Sequence, residues 1–164
     1  MDAKTLITGG LGFIGSNHID YILKTKPLEN ILVLDKNTYA ANSDALKRWE
    51  SNPQLTFTEG DICDAQLLSQ IFQENNIQGV VHFAAESHVD KSISGPQAFV
   101  DTNIMGTFQL LEAARKTWLD VNQSKKAGYE NARFHHISTD EVYGALDSKG
   151  AFTEKTAYAP NSPY

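Results

Sequence analysis

The stretch KTLITGGLGFIGSN, residues 4–17, joins a short β-branched run to a glycine turn and then directly to a helical pattern. Gly9, Gly12 and Gly15 recur at every third position, where the predicted strand ends and the predicted helix begins. When no Cβ stands in the way, a diphosphate can approach the free N–H groups and the favourable dipole of a helix N-terminus. A tight strand-to-helix turn without a ligand also fits this spacing, so the motif alone leaves both interpretations open.

Short β-branched runs alternate with longer helical patterns along the whole chain. This alternation is typical of an α/β fold of the Rossmann type, a doubly wound parallel sheet with helices on both faces. The predicted strands are Lys4–Thr8, Asn30–Asp35, Gln54–Glu59, Gly79–Phe83 and Arg133–Ser138. The predicted helices are Phe13–Lys24, Ser43–Glu50, Asp64–Glu74 and Pro96–Leu119, with Asp64 as an N-cap. Because the usual strand order 3-2-1-4-5-6 needs a further strand, we expect one incomplete domain over residues 1–164.

Composition and charge argue against several classes of partner. The chain has 164 residues, 41% of them hydrophobic, and a formal net charge of -6. We find no Lys/Arg block with interleaved aromatics, and therefore expect neither a nucleic-acid partner nor a membrane partner. Cys63 is the only cysteine, and residues 1–11 lack the pattern of a signal peptide. These features predict a cytoplasmic location.

An acidic residue follows the glycine turn at the spacing expected for dinucleotide binding. Asp35 ends the second predicted strand twenty residues after Gly15, where a carboxylate can accept hydrogen bonds from the adenosine ribose and repel a 2′-phosphate. The spacing therefore favours NAD over NADP, although the adjacent Lys36 leaves NADP open. An aspartate that only caps the following loop fits the same position.

Two further segments at strand ends can contact a dinucleotide. Gly60–Ile62 can hold the adenine edge, although an ordinary turn before a helix fits equally well. In Phe83–Ala85, the small side chains of the two alanines permit close approach of a cofactor or close packing of a helix. His82 and His88 flank Glu86, but no matched second ligand pair accompanies them, so we expect no metal.

Two adjacent carboxylates follow the fifth predicted strand. Thr139, Asp140 and Glu141 should emerge at the carboxyl edge of the sheet, where ligands bind in such folds. Like charges in close proximity disfavour double ionisation, so the two carboxyls can hold different protonation states. This suits an elimination, which needs one group to remove a proton and another to deliver one. A pair that merely starts a solvated loop would have the same sequence.

Seven segments together resemble the extended short-chain dehydrogenase/reductase family, and within it the dTDP-glucose 4,6-dehydratase branch. They span nearly the whole chain: TGGLGFIGSN (Thr8–Asn17), VLDKNTYAAN (Val33–Asn42), GDI (Gly60–Ile62), FAAESHVDKSI (Phe83–Ile93), NIMGTFQLLEAAR (Asn103–Arg115), FHHISTDEVYG (Phe134–Gly144) and FTEKTAYAPNSPY (Phe152–Tyr164). The glycine turn is common to the superfamily, whereas STDEVYG is more specific to the sugar-nucleotide 4,6-dehydratases. The chain departs from the family at Asn37, where leucine is frequent, and over Ala145–Ala151, which is shorter than in many relatives.

The resemblance implies an NAD site and a nucleotide-sugar substrate. Together with the glycine turn (Gly9, Gly12, Gly15), the NAD site would comprise Phe13, Ile14, Asp35, Lys36, Asn37, Thr38, Asp61, Ile62, Phe83, Ala84, Ala85, Glu86, Ser87 and Thr102. The hexose of the substrate would contact Ser87, His88 and Thr139. The catalytic residues would be Thr139, Asp140, Glu141 and Tyr164.

The resemblance also implies a mechanism. Tyr164, as phenolate, would take the proton of the sugar C4 hydroxyl while hydride passes to NAD, and Thr139 would hydrogen-bond the C4 oxygen. Glu141 would then remove the C5 proton and Asp140 would protonate the departing C6 hydroxyl, before hydride returns to C6. A tyrosine with a pKa of about 10 needs a nearby cation to act as a base at neutral pH. In the family this cation is a lysine four residues later, so residues 1–164 alone are expected to be inactive.

Two other functions stay open at this point. A nucleotide-sugar 4-epimerase shares the fold, NAD and a tyrosine–lysine pair, but has no use for the Asp140–Glu141 pair. A non-catalytic module that only binds NAD is the other.

We further expect a homodimer or other self-association through the apolar face of the predicted helix Pro96–Leu119 and the edge of the fifth strand.

Overall fold

A computed structural model describes residues 2–146 and 150–164, so residues 147–149 of the shortened Ala145–Ala151 stretch lie outside the described residues. Within these ranges the strands are β1 (Lys4–Thr8), β2 (Ile31–Asp35), β3 (Leu55–Glu59), β4 (Ile77–His82) and β5 (Arg133–His136). The helices are α1 (Phe13–Thr25), α2 (Ser43–Trp49), α3 (Ala65–Glu74), α4 (Val89–Ser94), α5 (Gln97–Phe99) and α6 (Thr107–Trp118). A π-helical segment (Val100–Gly106) joins α5 to α6, and a 3₁₀ turn covers Asp140–Tyr143.

The strands form one parallel sheet in the order β3-β2-β1-β4-β5, which confirms the predicted Rossmann-type fold. Thr8 at the end of β1 is in register with Leu34 on one side and with His82 on the other. Asp35 pairs with Glu59, the last residue of β3. Because all neighbours are parallel, the carboxyl ends of the strands lie at one edge of the sheet.

Two hydrophobic clusters cover the two faces of the sheet, and the alternation of side chains along β1 divides them. Leu6 belongs to the cluster that includes residues of α3 and α6, whereas Ile7 belongs to the cluster that includes residues of α1 and α2. Both side chains are fully buried. Burial on both faces explains why β2 reads as a continuous apolar run, ILVL, rather than an alternating one.

The predicted helix Pro96–Leu119 is not a single α-helix. Its first half consists of the short α5 and the π-helical segment, and α4 precedes it without having been predicted. A Cβ at Gly106 would lie 2.7 Å from the side chain of Ile62, so this glycine allows the helix to approach the loop after β3. Apolar periodicity predicted that these residues are helical. It could not reveal the extra residue in a π-helical turn, since such a turn has the same composition as an α-helical one.

The helices of residues 2–146 and 150–164 include none that is both long and apolar enough to span a bilayer.

The two tryptophans lie in the hydrophobic clusters and their indole N–H groups are satisfied there. Trp118 donates to the Ile77 carbonyl at 2.7 Å, and Trp49 donates to Asp20 at 2.6 Å. These bonds allow large aromatic side chains to be buried without an unpaired donor.

The N-cap of α3 yields a stability prediction. The Asp64 carboxylate accepts hydrogen bonds from the main-chain N–H groups of Gln66 at 2.9 Å and Leu67 at 3.0 Å, as the sequence predicted. Asp64→Ala should lower the free energy of unfolding by about 1 kcal/mol, because both donors lose their acceptor. Asp64→Asn keeps an acceptor oxygen and should lose less than half as much. Urea denaturation measures both, and equal losses would show that charge rather than hydrogen bonding stabilises the helix start.

Candidate functional site

The glycine turn after β1 is held in place by close main-chain contacts. Gly9 has a φ of 68°, and a Cβ there would lie 2.5 Å from the Ala84 nitrogen. A Cβ at Gly15 would collide with the Gly9 carbonyl oxygen. At Gly12, in contrast, an added Cβ would meet only that same oxygen, at 3.3 Å. Packing within the chain therefore requires glycine at two positions, and the third leaves space beside the start of α1.

The start of α1 has the features of an anion site. Gly12 is the N-cap residue and supplies no side-chain hydrogen bond, and the first turn contains no acidic residue. The first N–H groups of such a helix carry a partial positive charge and lack intrahelical partners. Phe13 and Ile14, the first two helical residues, are 83% and 61% exposed. An apolar, unshielded helix start at the sheet edge is what a diphosphate-binding turn requires.

Asp35 connects the second strand to this turn. Its Oδ2 accepts a hydrogen bond from the Leu11 N–H at 2.9 Å, and its Oδ1 accepts one from the Asn37 N–H at 2.8 Å. Asn37 has a φ of 54°, a left-handed conformation that asparagine tolerates better than leucine. Each carboxylate oxygen retains a further lone pair that can accept from a ribose hydroxyl.

An ion pair joins the residues after β2 and β3. Lys36 Nζ lies 2.6 Å from Asp61 Oδ2, and the Cys63 N–H donates to Asp61 Oδ1 at 2.9 Å. The hydrogen bond to Asp61 raises the pKa of Lys36 above its ordinary value. Partial burial opposes ionisation of Asp61, but the hydrogen bonds from Lys36 and Cys63 outweigh it and lower the pKa of this carboxyl. Burial and the neighbouring Asp61 raise the pKa of the Cys63 thiol to about 11.

One cleft brings most of the predicted cofactor residues together. It is lined by Gly9, Gly12, Asp35, Lys36, Thr38, Asp61, Ile62, Phe83, Ala84, Ala85, Glu86 and Thr102. The other predicted residues, Phe13, Ile14, Gly15, Asn37 and Ser87, do not line it. The lining also includes Leu34, Ala40 and Ala41, which sequence reasoning did not single out. The small pair Ala40–Ala41 lies within a segment that carried the family resemblance, and this was the available signal.

The π-helical segment positions the loop after β4. The Asn103 side chain accepts a hydrogen bond from the Glu86 N–H at 2.8 Å and donates one to the Glu86 carbonyl at 2.9 Å. These two hydrogen bonds to Glu86 fix the main chain of the loop after β4. The fixed segment lies beside the cleft, which Thr102 also lines. Asn103 was missing from the predicted site, although a polar residue within an apolar helical pattern was a usable signal.

His82 is a buried structural residue. Its Nδ1 lies 2.6 Å from the Thr8 hydroxyl and its Nε2 lies 2.9 Å from the Thr107 hydroxyl, so the ring connects β1, β4 and α6. Burial, together with the nearby His136, lowers the pKa of His82 to about 4.

His88 is exposed, as is Ser87. Across the described part of the chain, no group of three or more His, Cys, Asp or Glu side chains could hold a metal.

The paired carboxyls follow β5 at the edge of the sheet where the cleft lies. The Ile137 N–H donates to the His82 carbonyl at 3.1 Å, which continues the pairing of β5 with β4 beyond the strand. Thr139 caps the 3₁₀ turn by accepting from the Glu141 N–H at 3.2 Å. Glu141 is half-buried and Asp140 is exposed.

Tyr164 lies at the end of the last described segment, 150–164. The Ala159 N–H donates to the Val142 carbonyl at 3.0 Å, which returns the chain to the 3₁₀ turn. The Tyr164 ring packs edge-on against Phe99 of α5, with ring centroids 6.2 Å apart. The tyrosine therefore lies beside α5, and the carboxyls lie on the 3₁₀ turn. Residues 150–164 contact both elements.

Comparisons with known proteins give one family. The GDP-mannose 4,6 dehydratase family model matches residues 6–164. A dTDP-glucose 4,6-dehydratase from Haemophilus influenzae is 51% identical over 160 residues, covering 97% of this chain and 46% of that protein. The crystal structure of a dTDP-glucose 4,6-dehydratase from Bacillus anthracis in complex with NAD is 39% identical, with a TM-score of 0.80, and the match covers 99% of this chain and 46% of that chain.

A second kind of enzyme shares the fold. The crystal structure of a UDP-glucose 4-epimerase from Thermus thermophilus in complex with NAD has a TM-score of 0.79 at 27% identity, and the match covers 98% of this chain and 46% of that chain. The present chain spans about half the length of the curated relatives it matches. Since the family model extends over nearly all its residues, the chain belongs to the GDP-mannose 4,6 dehydratase family, within the extended short-chain dehydrogenases/reductases that its motifs predicted.

Proposed function

We propose that this chain is the NAD-binding part of a dTDP-glucose 4,6-dehydratase, which converts dTDP-glucose to dTDP-4-keto-6-deoxyglucose. The observation that carries the proposal is that Asp140 and Glu141 follow β5 at the same sheet edge as the glycine turn. The identity to dehydratases supports it. In this proposal residues 1–164 form one Rossmann domain, incomplete at its carboxyl-terminal edge, and the nucleotide of the substrate binds outside them.

The residues of the cleft fit NAD. The bare main chain at Gly12 and the start of α1 suit a diphosphate, and the Asp35 carboxylate suits a ribose. Asp61 and Ile62 would contact the adenine, and Phe83–Glu86 with Thr102, which also line the cleft, would contact the remainder of the dinucleotide together with Ser87. When bound, NAD supplies a reversible hydride acceptor. The presence of NAD in solved relatives supports this assignment.

The chemical roles in the proposal are those that the resemblance to the 4,6-dehydratases implies. Tyr164 takes the proton of the sugar C4 hydroxyl, and Thr139 hydrogen-bonds the C4 oxygen. Glu141 removes the C5 proton that the C4 ketone has acidified. Asp140 donates a proton to the departing C6 hydroxyl, which leaves as water. Two carboxyls on adjacent residues supply the proton acceptor and the proton donor that this reaction needs, while Ser87 and His88 border the hexose.

The second candidate is a nucleotide-sugar 4-epimerase, which the likeness to the Thermus thermophilus enzyme supports. An epimerase transfers hydride to and from C4 and needs no acid–base pair for a C5–C6 elimination. The Asp140–Glu141 pair therefore favours the dehydratase.

A cytoplasmic location is part of the proposal and is supported by the single cysteine, Cys63, which is a free thiol.

The proposal includes a homodimer or other self-association. Apolar side chains on successive turns of the π-helical segment and α6 are exposed: Val100, Ile104, Met105, Phe108 and Leu111. Within the described residues, β5 is one of the two edge strands of the sheet, and most of its side chains are exposed. Exposed apolar patches and open strand edges are both common sites of association.

Gly12→Ala tests the dinucleotide site. The added methyl group would occupy the space beside the start of α1, and the dissociation constant for NAD should rise by at least about tenfold. The fold should persist, since the methyl group meets only the Gly9 oxygen at 3.3 Å. Gly95→Ala is the matched control. Its added methyl group would lie 3.7 Å from the nearest atom, the Lys91 carbonyl oxygen, and Gly95 does not line the cleft. Calorimetric titration with NAD decides, and unchanged affinity in a folded Gly12→Ala protein would refute the diphosphate site.

Asp140→Asn and Glu141→Gln test the chemistry. In the complete protein that the proposal implies, each should slow formation of the 4-keto sugar from dTDP-glucose by about a hundredfold or more, because a proton donor or acceptor is lost. Affinity for NAD should stay unchanged. Glu154→Gln, at an exposed position, is the control. Variants that retain dehydration would contradict the assigned roles, and retained interconversion of C4 epimers of a nucleotide sugar would favour the epimerase.

Phe108→Asp and Ile104→Asp test self-association. These side chains are 51% and 60% exposed, and a buried carboxylate at an apolar interface is unfavourable. Size-exclusion chromatography with light scattering should show an associated parent protein and largely monomeric variants. Val121→Asp is the matched control, because Val121 is 94% exposed and lies outside α6. A parent protein that is monomeric at high concentration would contradict the association.

A further inference from the structure

The cleft contains a single cationic side chain among the described residues that line it. Lys36 is that cation, whereas Asp35, Asp61 and Glu86 are acidic. Lys36 follows directly after Asp35, the carboxylate assigned to the ribose. In Rossmann folds an acidic residue at this position accepts from the 2′-hydroxyl, and a nearby cation accommodates the 2′-phosphate of NADP. An unpaired Lys36 would therefore weaken the discrimination that Asp35 provides.

Lys36 is paired with Asp61 instead. The Nζ to Oδ2 distance is 2.6 Å, and the Asp61 side chain is also fixed by the Cys63 N–H through its other oxygen. Asp61 is 30% exposed and lies after β3, opposite the end of β2. The hydrogen bond that raises the pKa of Lys36 and the bonds that lower the pKa of Asp61 keep both groups charged over the neutral range. The positive charge of Lys36 is thus compensated within the cleft.

A second carboxylate lies beside Asp35. Glu59 pairs with Asp35 in the sheet register, and its carboxylate accepts a hydrogen bond from the Asn37 amide at 3.1 Å. With Lys36 neutralised by Asp61, the charge beside the ribose position is set by two carboxylates. Such an environment is unfavourable for a phosphate dianion.

We propose that Asp61 is a specificity-determining residue that selects NAD against NADP by pairing with Lys36. The inference rests on the proposed NAD site and deepens it. It assigns to Asp61 a role separate from any contact with the adenine, since the adenine is identical in the two dinucleotides. A contribution from the adenine therefore cancels in the ratio of the two dissociation constants.

A double-mutant cycle on the complete protein tests this role. NAD and NADP are titrated separately into the parent protein, Asp61→Asn, Lys36→Met and the double variant, and the NADP-to-NAD ratio of dissociation constants is compared. Asparagine keeps an acceptor for the Cys63 N–H, and methionine keeps the unbranched aliphatic stem without the charge. Asp61→Ser, which also keeps an acceptor, serves as a second variant if Asp61→Asn unfolds. Thermal unfolding of each protein checks the fold.

Releasing Lys36 should lower the ratio by about fivefold in Asp61→Asn, as expected for a partly exposed charge pair. Lys36→Met alone should not lower the ratio, because it removes the cation of the cleft and leaves the Asp61 carboxylate unpaired. Adding Asp61→Asn to Lys36→Met should lower the ratio by less than Asp61→Asn does in the parent protein, since no lysine is then released. An equal drop in both backgrounds would overturn the proposal, because direct repulsion by Asp61 would then be the cause. An unchanged ratio with normal NAD binding would also overturn it, whereas a parent protein that binds neither dinucleotide would refute the proposed function itself.

Discussion

The close approach of the Gly9 main chain to Ala84 is the constraint on which the rest of the structure depends. It brings the turn after β1 against the end of β4, and it does so only because Gly9 lacks a Cβ and adopts a positive φ. A similar constraint holds on the helix side, where a Cβ at Gly15 would collide with the Gly9 carbonyl oxygen. The start of α1 is consequently held at the sheet edge, with its first N–H groups beside the cleft. A side chain at either glycine would separate the helix from the strands that form the rest of the site.

Hydrogen bonds within the chain secure the elements around this contact. His82 connects Thr8 to Thr107, so the first strand, the fourth strand and α6 share one buried ring. Asn103 holds Glu86 through both main-chain groups, so the loop after β4 has a defined path beside the cleft. These polar groups are paired in or near the interior, where an unpaired group would be costly. The site therefore rests on packed elements rather than on isolated loops.

The electrostatics of the cleft follow from the same geometry. Parallel strands bring Asp35 and Glu59 side by side, and the loop after β3 carries Asp61 to Lys36. A lysine that looked available in the sequence is thereby compensated in the fold. The carboxyls after β5 also lie at this edge, because β5 runs parallel to β4. Asp35 and Asp140, which are distant in the chain, thus lie at the same end of the sheet.

The sequence by itself determined the fold class, the strand segments and the edge at which the chemical groups gather, because periodicity and glycine spacing are local and parallel strands end at one edge. It also determined the Asp64 cap, which depends on neighbours two and three residues away. Only the tertiary structure decided the π-helical segment, the hold of Asn103 on Glu86 and the pairing of Lys36 with Asp61. These features depend on contacts between residues distant in the chain, and an inserted helical residue or a charge partner leaves no trace in local composition.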